Sequence, residues 1–198
     1  MEDGTIIPVA SSYTFSETGI TKVNYTLNNS GIFRNLLGTR WFQWVPQLVK
    51  VEIPEGITKI EISCFNECLA LTEVKLPHSL QQLGNYAFMK TNLSSVTLYE
   101  NVQIIGDAFT QCSNLTTLNL YSTALTSNYP FSLSSFLSSN LSVINSYVST
   151  APPIFRTSDS WDQQYLPKNG TFYYPSGSNY SSWATTLGLD GWTGSGTL

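Results

Sequence analysis

Charged residues are scarce in this sequence. Asp, Glu, Lys and Arg make up 11% of its 198 residues, whereas soluble domains usually hold about a quarter. The 13 acidic residues outnumber the 9 basic ones, and no cluster of Lys and Arg is present to meet a phosphate backbone. No apolar run approaches the ~20 residues that cross a bilayer. We therefore expect no nucleic-acid partner and no membrane insertion within this chain.

Histidine and cysteine are also rare. His78 is the only histidine, and nothing in the spacing places a serine and an acid beside it, as a catalytic triad requires. Three cysteines, Cys64, Cys68 and Cys112, do not suit a disulfide framework. The Cys64–Cys68 spacing also lacks the further ligands of a zinc site. We expect buried, inert thiols, and the sequence predicts no catalytic residue, no cofactor and no metal.

A signal peptide is missing as well. The first residues, MEDGTIIPV, contain no basic region followed by an apolar one. We therefore expect that any leader or anchor is absent from this sequence. Residues 1–19 are polar and are predicted to form an N-terminal edge segment.

What the sequence does have is a repeat of 22 or 23 residues. Each copy opens with a leucine, carries apolar residues at its fourth and sixth positions, and has a further apolar residue twelve positions after the leucine. A phenylalanine then follows. A period of this size with leucine at fixed offsets is typical of a solenoid. The opening leucines are Leu48, Leu71, Leu93 and Leu115, and the phenylalanines are Phe65, Phe88 and Phe109.

Each copy divides into two halves. After the opening leucine, polar and apolar residues alternate, as in Glu73-Val74-Lys75-Leu76, which predicts a strand with one buried face. The second half is too short for a full helix, so we expect extended chain or short 3₁₀ turns. Consecutive strands must then be parallel, with right-handed crossovers.

The repeat continues in looser form on both sides, which gives one folded unit in three parts. The edge segment 1–19 is followed by a solenoid over 20–147, in which Phe131 lies near the phenylalanine position of a fourth, looser copy. Residues 148–198 are predicted to form a C-terminal cap. The copies lie near 20–47, 48–70, 71–92, 93–114, 115–140 and 141–147.

The cap is rich in aromatic residues. Gly170 to Pro175 is predicted to be a strand. Tyr180, Trp183, Ala184 and Leu187 are spaced as one face of an amphipathic helix. No linker precedes this segment, so we expect it to pack on the last coil.

Three stretches carry a family resemblance: Val74-x-Leu76-Pro77, Leu83-Gly84-x-x-Ala87-Phe88 and Ile105-Gly106-Asp107-Ala108-Phe109. They resemble the BspA-like (Treponema-type) leucine-rich repeats of bacterial surface proteins. The tail from Thr171 to Tyr180 is similar to the C-terminal ending of Bacteroides-type members.

The resemblance gives the copies and the cap a fold class. It implies an α/β leucine-rich repeat solenoid, mostly β, that forms a right-handed coil. The coil has one parallel sheet of about six strands, short return turns and an aromatic-rich cap containing a short helix. The resemblance also implies an extracellular or cell-surface protein that adheres to a host or bacterial surface protein, or to a glycan.

Alternation along the strands predicts which side chains face outward. Lys50 is expected to pair with Glu73, and Glu52 with Lys75, across neighbouring strands. Further along, the outward face is neutral and bordered by tyrosines, whose flat rings and polar tips suit ligands. The alternative is that these tyrosines only pack on each other. The candidate ligand-binding residues are Tyr99, Tyr121, Tyr147, Thr97, Thr117, Asn119 and Asn145.

Two further tryptophans, Trp41 and Trp44, are expected to pack in the core or against a cap.

Three functions are compatible with these features. The first is a non-catalytic adhesion module that presents the sheet face. The second is a structural spacer without a ligand, and the third is a carbohydrate-active enzyme. The enzyme would need a cleft with two carboxyl groups about 5–10 Å apart.

Overall fold

The computed structural model describes residues 36–128, 131–155 and 160–198. Within these ranges the chain forms short strands, two α-helices and one 3₁₀ helix, Leu133–Phe136. In chain order the strands and helices are β1 (Leu36–Leu37), β2 (Lys50–Glu52), β3 (Lys59–Ile60), β4 (Glu73–Lys75), β5 (Gln82–Leu83), β6 (Ser95–Leu98), β7 (Ile104–Ile105), β8 (Thr117–Leu120), β9 (Phe131–Ser132), β10 (Val143–Ser146), β11 (Ile154–Phe155), α1 (Ser160–Tyr165), β12 (Thr171–Tyr173), α2 (Ser181–Gly188) and β13 (Thr193–Ser195).

The strands that begin the repeat copies form the face that we call the front sheet. β2 pairs in parallel with β4, and β6, β8, β10, β12 and β13 form a parallel five-stranded sheet in that spatial order. The register keeps one apolar column in line, with Val96 beside Leu118, Leu118 beside Ile144 and Ile144 beside Phe172. A one-residue slip would turn this column outward, so burial fixes the register.

The return halves form a second parallel sheet from β1, β3, β5 and β7. Consecutive coils approach closely here. A Cβ on Gly84 would lie 2.7 Å from the backbone nitrogen of Ile62, so a side chain would push the two coils apart. The recurrent Leu-Gly pair therefore serves coil contact as well as turning.

Several non-glycine residues of the return turns have a left-handed backbone, which costs about 1–2 kcal/mol each. Tyr86 and Lys90 have φ angles of 59° and 57°. Their amides donate to Asp107 and Thr110 in the next coil, both at 3.1 Å. Hydrogen bonds between coils offset the strain, because they satisfy backbone groups that would otherwise be left unpaired.

The core contains a continuous stack of phenylalanine rings, which we call the phenylalanine ladder. Adjacent centroids lie 5.0, 5.1, 5.5 and 5.3 Å apart, with planes 3° to 8° from parallel. Stacked rings add about 0.5–1.5 kcal/mol per pair beyond their burial. The repeat positions Phe65, Phe88 and Phe109 are therefore aligned along one axis. The ladder runs through Phe42, Phe65, Phe88, Phe109 and Phe136.

The predicted place of Phe131 is wrong. Phe136, in the 3₁₀ helix, continues the ladder beyond Phe109, whereas Phe131 stacks on Trp183 of α2 at 4.9 Å. The longer fourth copy carries its extra residues before the turn. The later phenylalanine is therefore the one that reaches the shared axis.

The C-terminal region contains the predicted strand and helix, as β12 and α2. It also extends the front sheet, because β12 pairs with β10 and β13 pairs with β12. Ser146 occupies a core position that is apolar in the preceding strands, and its hydroxyl lies 2.7 Å from that of the buried Tyr180. Burial raises the pKa of Tyr180.

The mostly-β leucine-rich repeat solenoid with a parallel sheet is confirmed. The predicted edge segment 1–19 and the start of the copy near 20–47 lie outside the described residues. The boundary between solenoid and cap near residue 147 stays a proposal. In that proposal the cap supplies two strands, β12 and β13, to the front sheet.

Candidate binding face

The strands of the five-stranded part of the front sheet project the candidate residues outward. In β6, Val96 and Leu98 are buried, whereas Ser95 is exposed and Thr97 is partly exposed. The same alternation in β8 and β10 brings Thr97 beside Asn119, and Asn119 beside Asn145. The strand register therefore aligns the predicted face, because each strand contributes one outward side chain to each column of the sheet.

The three candidate tyrosines follow directly after β6, β8 and β10, and we call them the tyrosine row. Tyr99 and Tyr121 stack with centroids 6.2 Å apart, and Tyr121 and Tyr147 stack at 4.3 Å with planes 5° from parallel. Tyr121 and Tyr147 remain 39% and 41% exposed. Partial desolvation and the neighbouring Tyr147 raise the pKa of Tyr121. The rings therefore pack on each other and also meet solvent.

His78 extends the tyrosine row, although it is not among the residues predicted for the face. Its ring stacks on Tyr99 with centroids 3.9 Å apart, and its Nδ1 lies 3.0 Å from a Glu100 carboxylate oxygen. The backbone amide of His78 donates to Glu55 at 3.0 Å and holds the pKa of that carboxyl below its usual value. Pro77 occupies the column that holds tyrosines in the later strands, and His78 follows it directly. This position is the signal that could have placed His78 at the end of the row.

A second column, which we call the amide ladder, runs beside the tyrosine row through Thr97, Asn119 and Asn145. Asn145 Nδ2 donates to Asn119 Oδ1 at 2.9 Å, and Asn119 Nδ2 donates to Thr97 Oγ1 at 3.4 Å. Tyr173 of β12 is next to Asn145 in the same register, a position that the sequence reading assigned to the cap alone. Aligning residues 171–173 with 143–145 would have revealed it.

Thr117, the remaining candidate, lies in the neighbouring outward column of β8. It is beside Ser95 and Val143 in the strand register. Its hydroxyl lies 3.4 Å from that of Thr116. The structure thus places all seven candidates on one continuous part of the front sheet and its border.

The other end of the front sheet is charged. Lys50 Nζ lies 2.5 Å from Glu73, and Lys75 Nζ lies 2.7 Å from Glu52, as the outward columns predicted. These side chains are largely exposed, so each pair contributes little beyond holding the register of the two strands. The charged pairs lie on β2 and β4, and the neutral candidates belong to β6, β8 and β10.

The expectation for the tryptophans is wrong for Trp44, which is 66% exposed. Trp41 is 36% exposed, and its indole ring lies against Gly38, where no Cβ would fit. A large ring cannot enter the column that holds Cys64 and Ala87 in later coils, because that column is fully buried. Neither tryptophan belongs to the candidate face.

The three thiols are buried and unbonded to one another. Desolvation raises the pKa of Cys68 to about 12 and raises that of Cys64 and Cys112. Cys68 and Cys112 donate to the carbonyl oxygens of Phe42 and Phe88. Within the described ranges, no group of His, Cys, Asp and Glu has the geometry for a metal ion.

A shallow open hollow lies at the first described coils. Its lining is apolar except for one carboxylate, Glu52, which is paired with Lys75. Cleavage of a glycosidic bond uses two carboxyl groups across a cleft, and this hollow provides one. Across the described ranges, no helix has the length and apolarity to span a bilayer.

Comparison with known proteins gives one family match. The model for the BspA type leucine rich repeat region matches residues 35–158 in six copies. No curated protein matches the sequence.

Two solved structures share the fold. The pneumococcal vaccine antigen PcpA has a TM-score of 0.57 at 24% identity, and the alignment covers 81% of this chain and 37% of PcpA. The Treponema pallidum leucine-rich repeat protein TpLRR has a TM-score of 0.56 at 18% identity, covering 90% of this chain and 86% of TpLRR. A leucine-rich repeat protein from Bacteroides ovatus aligns at 15% identity with a TM-score of 0.44, over 70% of this chain and 42% of that one.

Proposed function

Since the chain belongs to the BspA-type leucine-rich repeat family, we propose that it is a non-catalytic binding module of an extracellular or cell-surface protein. The observation that carries the proposal is the exposed tyrosine row beside the amide ladder. The module would present this face to a host or bacterial surface protein, or to a glycan.

The tyrosine row supports binding because the fold has no need of it as a core. The phenylalanine ladder and the apolar strand column already fill the coil interior, whereas Tyr121 and Tyr147 leave about two fifths of their surface in water. Tyrosine is enriched among the residues that carry most of the energy of protein interfaces. An exposed row of such residues is therefore a reasonable place for a ligand.

The surface location is supported by the relatives. PcpA is an antigen of a pneumococcal vaccine, which is compatible with display outside the cell. The chain spans 37% of the length of PcpA, so what the whole of PcpA does is no guide to this module alone. The predicted extracellular or cell-surface location is retained as part of the proposal.

We propose that the module is not catalytic because its acidic side chains are bonded to neighbouring groups of the coil. The acids that border the front sheet accept hydrogen bonds or form ion pairs with neighbours, as Glu52, Glu55 and Glu73 do. Such groups stabilise the coil and are not arranged as an acid and base around one reacting atom. We therefore assign the module neither a reaction nor a cofactor.

The test is a binding panel of matrix proteins, bacterial surface proteins and a glycan array, run with wild type and with the variant Tyr99→Ala/Tyr121→Ala/Tyr147→Ala. The proposal predicts capture of at least one ligand by wild type and its loss in the variant. The Tm should fall by no more than about 4 °C per exposed tyrosine, the equivalent of roughly 1 kcal/mol. Circular dichroism at the assay temperature checks that the variant is folded.

An empty panel for wild type would favour the structural spacer, since a spacer needs no ligand of its own. A variant that no longer folds would show that the tyrosine row serves packing along the sheet border. Retained capture by a folded variant would place the binding surface elsewhere on the chain.

A further inference from the structure

The stacking of the tyrosine row limits what the rings can offer to a ligand. Tyr121 and Tyr147 lie 4.3 Å apart and nearly parallel, and His78 covers one side of Tyr99 at 3.9 Å. A sugar ring binds tyrosine by laying its C–H groups on an open aromatic face, where the π electrons are. Here neighbouring rings cover the faces between them. The row therefore presents ring edges and hydroxyl groups outward.

The amide ladder adds uncharged hydrogen-bond donors beside those edges. Each Asn side-chain nitrogen carries two N–H groups. One N–H of Asn145 goes to Asn119, and one N–H of Asn119 goes to Thr97. The second N–H of each amide has no partner among the described residues. Two donors on adjacent strands are thus available, about 4.8 Å apart, and they match main-chain carbonyl oxygens.

Two carboxylates make one end of this surface negatively charged. Glu55 and Glu100 flank His78. Hydrogen bonds from the backbone amide of His78 to Glu55, and from the amide of Glu100 to its own carboxylate, lower the pKa of both groups. Lys75, which precedes this end on β4, is already paired with Glu52. The His78 end therefore favours a positively charged group, and the remainder of the surface is neutral.

We infer that the tyrosine row and amide ladder take a polypeptide segment with a basic side chain at its Glu55 and Glu100 end. Its carbonyl oxygens accept from the amide ladder, and its apolar side chains pack on the tyrosine edges. This inference rests on the proposed function and narrows its ligand from protein or glycan to polypeptide. Stacked ring faces are the reason for excluding sugar as the main ligand.

The test begins with a phage-displayed library of random dodecapeptides selected on the folded chain. Selected sequences should carry Lys or Arg toward one end. A synthetic copy should lose affinity by at least about tenfold in Tyr121→Ala/Tyr147→Ala, the loss expected for interface hot spots. Tyr86→Ala is the matched control, because Tyr86 is 41% exposed but lies in a return turn. Its affinity should equal that of wild type.

A charge variant gives a second readout that spares the ring stack. Glu55→Gln/Glu100→Gln should weaken the peptide about two- to fivefold, the range of an exposed ion pair, and should reduce the salt dependence of binding. Unchanged affinity and salt dependence would overturn the basic-end assignment. If the tyrosine variant does not fold, this charge variant carries the test alone.

Cellohexaose and chitohexaose are the competing probes. If they bind wild type, lose affinity in the tyrosine variant, and no peptide is selected, the polypeptide assignment is wrong while the proposed function stands. If neither peptides nor sugars bind, the polypeptide assignment is wrong, and the panel of matrix proteins, bacterial surface proteins and glycans decides the proposed function separately. Peptides that bind wild type and both variants equally would refute this surface as their site.

Discussion

The phenylalanine ladder and the tyrosine row are two aromatic stacks generated by one repeat. The phenylalanine centroids are spaced evenly, at 5.0 to 5.5 Å, with planes within 8° of parallel. The row that begins at His78 has spacings of 3.9, 6.2 and 4.3 Å and plane angles up to 28°. Both stacks follow the rise of the coil, yet only one is regular.

The difference follows from what surrounds each ring. The rings of Phe65, Phe88 and Phe109 are fully buried. Close packing therefore fixes both their orientation and their position along the coil axis. Tyr121 and Tyr147 are fixed at the backbone and by each other, while their remaining surface meets water. The same rung spacing therefore produces a rigid core in one column and an adaptable surface in the other.

The largest effect should come from breaking the buried stack. Phe88→Ala removes a fully buried ring with a stacked neighbour on each side and should cost roughly 3–5 kcal/mol of unfolding free energy. Tyr121→Ala is the matched change in the exposed stack and should cost about 1 kcal/mol or less. Urea unfolding measures both.

Equal costs for the two variants would remove the distinction between the stacks. A cost below about 0.5 kcal/mol for Phe88→Ala would mean that the ladder does not hold adjacent coils together. A cost near 4 kcal/mol for Tyr121→Ala would instead make the tyrosine row part of the core.

A smaller effect should appear in the pH dependence of the exposed stack. Desolvation and Tyr147 raise the pKa of Tyr121 above its ordinary value of 10.0. The folded state therefore holds this proton more tightly than the unfolded chain does. The resulting stability is fully present below the unfolded pKa and is lost as the pH rises through the folded pKa. Absorbance at 295 nm should show a late-titrating tyrosine signal that is smaller by one ring in Tyr121→Phe.

The comparison of variants is needed because burial also raises the pKa of Tyr180. The difference between the wild-type and Tyr121→Phe titrations isolates the exposed ring. In Tyr147→Phe the pKa of Tyr121 should fall toward 10.0, since a neighbouring phenol is removed. An unchanged pKa of Tyr121 in Tyr147→Phe would show that the two rings do not interact in solution.

The smallest effect is expected where exposure is greatest, in the charged strands. A double-mutant cycle with Lys50→Gln and Glu73→Gln should give a coupling of about 0.5 kcal/mol or less, reduced further by salt, because both side chains are about half exposed. Thermal unfolding of the four proteins measures it. A coupling above about 2 kcal/mol would show that exposed contacts hold this sheet as firmly as buried ones.

The regular copies could be predicted because their residues are set by local spacing. Leucine offsets placed β4, β6 and β8, and the periodic phenylalanines placed the ladder as far as Phe109. The prediction failed at Phe131, where an insertion changes the count and only packing against Trp183 distinguishes the two phenylalanines. It also failed at Trp44, since spacing alone does not show whether a bulky ring fits a column.

Part of the candidate face could likewise be predicted from the sequence. Alternation placed all seven candidates on one side of the sheet, and the ion pairs formed as expected. His78 and Tyr173 were missed, because each joins the face through a neighbour on another coil, Tyr99 and Asn145 respectively. The sequence also left open whether the tyrosines stack face to face, which decides the kind of ligand.

By itself the sequence determined the period, the buried column and the polar face, because each depends on side chains at fixed offsets along one chain. The tertiary structure alone decided which phenylalanine completes the ladder and that β12 and β13 lengthen the sheet. It also decided that Tyr121 and Tyr147 cover each other's facing sides and that His78 covers one side of Tyr99. These outcomes depend on distances between coils, and a linear pattern fixes the order of coils but not how their side chains fill the space between them.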